Sequence, residues 1–351
     1  MRTRALASIL FLTLLLGFAI LPFTSASAVP QGFLRVKRTW IVDADGRVVL
    51  LRGVNYPGYT NLGYITQHTE AEYAKLARLG FNVVRLPISW AIFEPQPGIF
   101  DFSYLSRYVS RDIQWAKKHG LYIVLDMHQY KWASKFGGSG VPYWAVQQYA
   151  PNEAGMRQAI SNFWIDAKLQ AHFFRAWTEI ARTYANETTV AGYDILNEPW
   201  IYTSVIPYLN ATHVNDLYVK VISSIRAVDP NHIIFLEPAN MYTSEFPVKD
   251  NIVWSPHFYP LSFASTYRPQ DARALEADLQ AKFKRFVLEM GGPIWIGEFG
   301  AFMKDETYRN WLQDATGLFD KYMVGWAWWA FGEERGRRGS SMLTCISETV
   351  S

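Results

Sequence analysis

Two short stretches carry carboxylates where a reaction could use them. YDILNEPW (193–200) runs apolar and then ends on Asn197-Glu198-Pro199, and PIWIGEFG (293–300) sets Glu298 at the end of another apolar run. Pro199 cannot donate to a ladder, so Asn197 and Glu198 fall at the end of their strand rather than inside it. Paired carboxylates across a cleft are what glycoside cleavage requires: one protonates the departing oxygen while the other stabilises the cationic sugar. Taken alone, the Asn-Glu-Pro tripeptide reads equally as the opening of a loop. The elements around it decide between the two.

Eight apolar runs of strand length follow one another: VVLLRGVN, FNVVRLP, LYIVLDMH, VAGYDILNEP, IIFLEP, IVWSPHFY, PIWIGEFG and GWAWWAF. Amphipathic stretches such as EAEYAKLARLG, HVNDLYVKVISSIRAV and DARALEADLQAKFKRFVLEM separate most of them, several ending in a helix-stopping Gly. This alternation predicts an α/β fold, a (β/α)8 TIM barrel in one domain. Ahead of it, Asp45-Gly46 between two β-rich runs predicts a short N-terminal β-hairpin.

In such barrels the reacting groups stand at the carboxyl ends of the strands. Read that way, strand two ends near Arg85, strand three at Asp126-Met127-His128, and strand four at Asn197-Glu198. Strand five ends at Glu237-Pro238, strand six at His257-Phe258-Tyr259, strand seven at Glu298, and strand eight brings Trp326, Trp328 and Trp329. These groups would converge on one bowl, with Glu198 and Glu298 on opposite sides. Arg85, with hydroxyl and amide donors, would keep one glutamate ionised, while burial near that charge would raise the pKa of the other. Trp326 and Trp328 share one strand face and Trp329 takes the other, so one set must be packing. Hydrogen-bonded core histidines are the alternative for His128 and His257. Asp126 has the alternative of only orienting His128, and Glu94 and Glu237 read as structural. A metal-dependent barrel would present His-x-His on one strand, and none occurs; no metal or other cofactor is expected. A non-catalytic sugar-binding barrel would have no need of both glutamates.

The whole chain agrees with a single large core: 351 residues, 50% of them hydrophobic. A net charge of +3, whose densest basic run is Arg335-Gly336-Arg337-Arg338, argues against a nucleic-acid partner. With 14 Trp, 20 Tyr and 22 Phe, rings are left over from the core to line a groove against sugar C–H faces. Residues 129–155 form a long Trp-, Tyr- and Gly-rich connection, in which Trp132, Tyr143 or Trp144 would either wall the cleft or pack the loop. Arg2 and Arg4 before LASILFLTLLLGFAILPF, then Ala26-Ser27-Ala28, predict a signal peptide over 1–28 and a secreted protein without stable membrane insertion. An uncleaved anchor is the alternative. The lone Cys345 excludes an internal disulfide. The remainder, 29–351, is expected to be the barrel, its last helix abbreviated or missing because GEERGRRGSSMLTCISETVS has little helical pattern.

In that order, LRGVNYPG, NVVRLPISW, EPQPGIFD, LDMHQ, LNEP, PHFY, IGEFG and WAWWAF resemble glycoside hydrolase family 5, the cellulase family of clan A. The resemblance spans nearly the whole chain beyond the signal segment. It implies a retaining mechanism on a β-linked polysaccharide or glycan. It also implies Glu198 as acid/base, protonated at rest, Asn197 on the sugar 2-hydroxyl, and Glu298 as nucleophile held by Arg85 and Tyr259. His128 and His257 would then bind sugar or support the acid/base, with Trp329 as stacking platform. GGSGVPYWA is similar to the endoglycosylceramidase branch, which cuts a glycan from a lipid. That branch usually has Asp where this chain has Tyr130, and a β-sandwich beyond the barrel, whereas this sequence runs only a short way past strand eight. The expected substrate is therefore β-1,4-glucan first, with a glycolipid or β-mannan as alternatives.

Overall fold

The structure, a computed structural model, describes residues 32–60, 68–238, 246–301 and 307–332. The expected signal segment, the basic run at 335–338, Cys345 and the segment expected to hold a shortened last helix lie outside the described residues. Ten strands are described: β1 Arg35–Lys37, β2 Trp40–Val42, β3 Arg52–Asn55, β4 Val83–Ile88, β5 Tyr122–Met127, β6 Val190–Asp194, β7 Ile233–Leu236, β8 Ile252–Trp254, β9 Trp295–Phe299 and β10 Gly325–Trp328. The last eight form one sheet in the order β8-β7-β6-β5-β4-β3-β10-β9, every neighbouring pair parallel. The Trp254 N–H donates to Pro293 O at 2.9 Å, and a parallel bridge joins Trp254 to Ile294, which closes β8 onto the chain entering β9. The (β/α)8 barrel is thus present, built on eight β-rich apolar runs whose helices cover the outer face.

The helices begin where polar caps replace the missing donors of a first turn. Thr69 and Glu72 form a capping box before Glu70–Arg78, Asp166 accepts two N–H groups ahead of Ala167–Tyr184, and Asn210 caps Ala211–Arg226. Among the described residues no helix is long and apolar enough to cross a membrane.

Asp45-Gly46 does turn the chain, with Gly46 at φ +83 and a single bridge from Val42 to Val48. The hairpin ladder itself is one turn upstream, pairing Arg35 with Val42 and Lys37 with Trp40 around Arg38 at φ +58. Its Leu34 and Ile41 join the same apolar cluster as the inward residues Val83, Val124, Ile233, Phe235, Val253 and Trp295. The hairpin therefore plugs the amino-terminal end of the barrel.

Strand periodicity then sets what lies above. Two residues beyond inward Val83 comes Arg85, beyond Val124 comes Asp126, beyond Phe235 comes Glu237, and beyond Val253 comes Ser255. The lower layer of the interior is hydrocarbon and the upper layer is charged. All of Arg85, Asp126, Asp194 and Glu237 are buried.

Candidate active site

Arg85 is the hub of the upper layer. It lies inside β4, not at its end, because the strand runs on to Ile88. Its Nε donates to Asp194 at 2.9 Å, Nη1 to Asn55 at 3.0 Å and to Glu298 Oε1 at 2.9 Å, and Nη2 to Asn197 at 3.0 Å and to Glu237 Oε1 at 2.8 Å. Asp126 Oδ1 stands 3.1 Å from Nη2. A guanidinium satisfies so many acceptors because its five N–H donors form a rigid planar fork. Four carboxylates around one guanidinium leave negative charge in excess. Burial accordingly pushes Asp194 well above the usual carboxylate range despite its bond to Arg85.

Glu298 stands one residue before the end of β9 and is buried. Its second oxygen accepts from the Tyr259 hydroxyl at 3.0 Å. Glu198 lies past its strand: β6 stops at Asp194, and β8 likewise stops at Trp254, short of His257 and Tyr259. A few main-chain bonds still tie these segments to their neighbours, Asn197 N–H to Met127 O at 3.1 Å and Phe258 N–H to Glu298 O at 2.8 Å, and side-chain bonds add to them. Glu198 N–H donates to Glu237 Oε2 at 2.7 Å, and Gln129 Nε2 donates to the carbonyls of Asn197 and Glu198 at 3.0 and 3.1 Å. They hold Glu198 at φ +45, a left-handed conformation that costs a side-chain-bearing residue about 1–3 kcal/mol and persists only where its surroundings over-determine it. Asn197 is equally fixed, accepting from Arg85 and donating to Gln129 O at 3.0 Å.

His257 joins the two glutamates. Its Nδ1 is 3.0 Å from Glu198 Oε1 and 3.5 Å from Glu298 Oε2, while its Nε2 is 3.0 Å from Glu237 Oε1. The last is an ion-pair contact rather than a well-angled hydrogen bond. One oxygen of Glu198, one of Glu298 and a His257 nitrogen all lie within 4.8 Å of one another. Two acids flanking the imidazole and a third beside it hold His257 well above its ordinary pKa, against the opposing effect of burial.

The charge states differ from the sequence expectation. Glu198 was expected to rest protonated, yet its carboxyl lies below the usual range: burial raises it, but the His257 hydrogen bond and positive charge, aided by His128 and Arg85, outweigh that. With 49% of its side chain exposed against 7% for Glu298, water screens it further. Glu298 is raised, because burial and the Glu198 charge outweigh His257 and Arg85. The lowered Glu198 and raised His257 together favour the proton on His257 over Glu198.

Around this group, His128 donates or accepts through Nδ1 with Asp126 at 2.7 Å, and its ring lies parallel to Trp329 at 5.3 Å. Trp329 is half-buried, whereas Trp326 and Trp328 are buried edge-on against Phe299, which makes the latter two packing residues and leaves Trp329 partly open to the bowl. In the long loop Trp132 is buried against Phe163, and Trp144 packs on Trp90 and His172 with its indole N–H on Glu94 O. These two pack the loop, and Tyr143 alone of the three stays exposed. Glu94 accepts from Trp90 and meets His172 away from the bowl, a structural role as expected.

All eight residues singled out from the sequence thus meet at one end of the barrel. Asn55, Gln129, Asp194 and Glu237 were missed as site residues, although period-two spacing places Glu237 inward on its strand. Glu198, His257 and Glu298 also have donor atoms near enough to chelate a cation. Their positive neighbours, Arg85 on Glu298 and the imidazole itself, mark an ion-paired carboxylate site instead.

A (β/α)8 barrel with two facing glutamates at its mouth defines a class of enzymes, the barrel glycoside hydrolases. A family model described as Cellulase (glycosyl hydrolase family 5) matches residues 42–335, and the chain belongs to that family. A beta-xylosidase of Phanerodontia chrysosporium is 27% identical over 86% of this chain and 71% of its own length. Endoglycoceramidase I of Rhodococcus hoagii is also 27% identical, over 87% of this chain and 69% of its own. A solved structure described as endogalactoceramidase superposes with a TM-score of 0.73 at 27% identity, covering 86% of this chain and 75% of that one. The protein is a glycoside hydrolase.

Proposed function

We propose that this enzyme is a retaining endo-β-glycosidase that releases a glycan from a hydrophobic, lipid-like aglycone. The spacing of Glu198 and Glu298 carries the mechanistic part: nearest oxygens within 4.8 Å leave no room for the water an inverting pair holds between carboxyls about 6.5–9.5 Å apart. Glu298, fixed by Arg85 and Tyr259, attacks the anomeric carbon. Glu198, supplied with a proton through His257, protonates the departing oxygen and then takes a proton from the water that releases the sugar. Trp329 stacks beneath the cleaved sugar, with Asn197 and His128 on its hydroxyls.

The aglycone reading draws on two observations. Two of the proteins named above are called endoglycoceramidase and endogalactoceramidase. Large apolar side chains also stand exposed next to site residues in sequence: Trp200 just after Glu198, and Leu261 and Phe263 just after Tyr259. The β-1,4-glucan favoured by the sequence becomes the second arm of the assay, with β-mannan a third. Export remains part of the proposal on the strength of residues 1–28 alone, and amino-terminal sequencing of the mature protein tests it.

The deciding experiment is incubation with a lactosyl sphingolipid, carboxymethylcellulose, β-mannan and xylan, followed by separation of products and proton NMR of the first-formed anomer. Free β-lactose from the sphingolipid is the expected result. Cleavage of carboxymethylcellulose alone would overturn the aglycone reading, and a first-formed α-anomer would overturn retention.

A further inference from the structure

Glu237 is buried at the bottom of the bowl, yet neither step above uses it. Its carboxylate meets the catalytic apparatus at three points: Arg85 Nη2 donates to Oε1 at 2.8 Å, the Glu198 N–H donates to Oε2 at 2.7 Å, and His257 Nε2 lies 3.0 Å from Oε1. The Tyr218 hydroxyl donates to its main-chain carbonyl at 2.7 Å, which fixes the end of β7 on which it stands. We propose that Glu237 is a positioning residue for proton transfer: it holds the far nitrogen of His257 so that the near one stores the proton Glu198 delivers, and it fixes the Glu198 backbone that receives it.

The argument is one of charge. His257 meets Glu198 from the loop after β6, Glu237 from the end of β7 and Glu298 from β9, with the Tyr259 ring 6.2 Å away, while Arg85 and His128 act on Glu198 and Glu298 themselves. Arg85 already contacts Asp126, Asp194, Glu237 and Glu298, and even with Asp194 pushed toward its neutral form by burial, one guanidinium cannot balance the other three. A doubly protonated imidazole supplies the second positive charge, and it needs an anion at each nitrogen. Glu198 alone would accept from Nδ1 of a neutral ring equally well. Glu237 at Nε2 is what makes the imidazolium the favoured form, because an anion beside a cation stabilises its protonated state.

The proton is then conserved through the cycle. At rest it is on Nδ1, and Glu198 is ionised. As the glycosidic oxygen enters, it passes to Glu198 Oε1 and on to the departing alcohol, leaving a neutral imidazole. Water attacking the covalent intermediate gives its proton to Glu198, and this returns to Nδ1. Glu237 exchanges no proton in any step. This inference rests on the acid/base role given to Glu198 above, but the state of His257 can be read without turnover.

The test is Glu237→Gln, which keeps shape and removes charge, with Glu237→Asp as the variant that keeps charge on a shorter reach. Nitrogen-15 NMR of the imidazoles, with His257→Asn to assign the signal, should show His257 doubly protonated at neutral pH in the unaltered enzyme. In Glu237→Gln the titration should move down by about one pH unit or more, as expected for removing a charge this close. Glu237→Asp should move it less, and it carries the same measurement if Glu237→Gln does not fold. On an aryl β-lactoside with a poor leaving group, the alkaline limb of kcat/KM should fall by the same shift. A dinitrophenyl lactoside, which needs no acid, should not follow it. An unchanged His257 titration in Glu237→Gln, a larger shift in Glu237→Asp than in Glu237→Gln, or a His257 neutral at pH 7 in the unaltered enzyme, would overturn the proposal. Absence of turnover on both lactosides with the NMR shift intact would overturn the substrate reading and leave Glu237's role standing.

Discussion

Arg85 Nη1 donates to Glu298 Oε1 at 2.9 Å from a position three residues inside its strand, with no exposure of the guanidinium at all. The contact therefore belongs to the barrel interior as much as to the active site. One residue holds the attacking carboxylate and neutralises the buried charge that would otherwise prevent the upper layer from closing.

Arg85→Lys should accordingly fail on both counts. An ammonium has three donors and no planar fork, so it cannot serve Asn55, Asp194, Asn197, Glu237 and Glu298 together. Leaving buried carboxylates unpaired costs about 3–5 kcal/mol. Urea unfolding should show a loss of that order, and kcat should fall by about a hundredfold or more in whatever protein remains folded, as when a positioned electrostatic group is removed. A variant with kcat intact would mean that Glu298 does not depend on Arg85.

Glu298 makes the opposite prediction for stability. Its folded pKa is raised, so the native state holds its proton more tightly than the unfolded chain does. Its favourable contribution is therefore complete below the unfolded value near 4.5, and is lost as pH rises through the raised folded value. Above that point a buried charge works against the fold. Glu298→Gln should melt at a higher temperature than the unaltered enzyme at pH 7, with the difference narrowing as pH falls toward 4.5, while being inactive. Melting curves across that range decide it: a variant less stable at every pH would show that the Arg85 and Tyr259 bonds outweigh the burial.

The barrel was legible because its signals are local and repeated. Inward alternation along β4, β5 and β7 put charges two residues above Val83, Val124 and Phe235, and strand-end position picked out Glu198 and Glu298. Strand ends were misjudged at β6 and β8, beyond which the ladder thins to scattered main-chain bonds and side chains share in holding the backbone. That sharing depends on partners far away in sequence, as with Gln129 and Glu198, 69 residues apart. Glu237 looked structural for the same reason: its partner Arg85 is 152 residues away. The resting place of the proton was not legible at all, because it depends on His257 standing between acids from separate strands. The loop's aromatic content was visible, but burial of Trp132 and Trp144 follows from what the folded barrel sets beside them.

The tryptophans in and just after β10 should separate cleanly in experiment. Trp329 is half-buried beside His128, so Trp329→Ala should lower kcat/KM by up to about tenfold, as expected for losing an aromatic contact of up to about 1.5 kcal/mol, with little change in stability. Trp328 is buried against Phe299, and Trp328→Ala should cost about 3–5 kcal/mol of stability with KM unchanged. Denaturation and steady-state kinetics on the same two variants would expose a reversed assignment.

The roles of the two glutamates are separable by the stereochemistry of rescue. Glu298 receives hydrogen bonds from Arg85 and Tyr259, both donating into a carboxylate, whereas Glu198 faces water and a protonated His257. Glu298→Ala should therefore abolish turnover, because no covalent intermediate can form. Added azide should then enter from the vacated face and give an α-glycosyl azide from a β-linked substrate. Glu198→Ala should retain activity on an aryl glycoside with a good leaving group, since such a group departs without a proton. Here the intermediate forms on Glu298 but water is no longer activated, so azide should intercept it and give the β-glycosyl azide. Product anomers are read directly from the proton coupling at the anomeric carbon. A β-glycosyl azide from Glu298→Ala with an α-glycosyl azide from Glu198→Ala would exchange the roles of the two glutamates, and full turnover in either would remove that residue from the reaction.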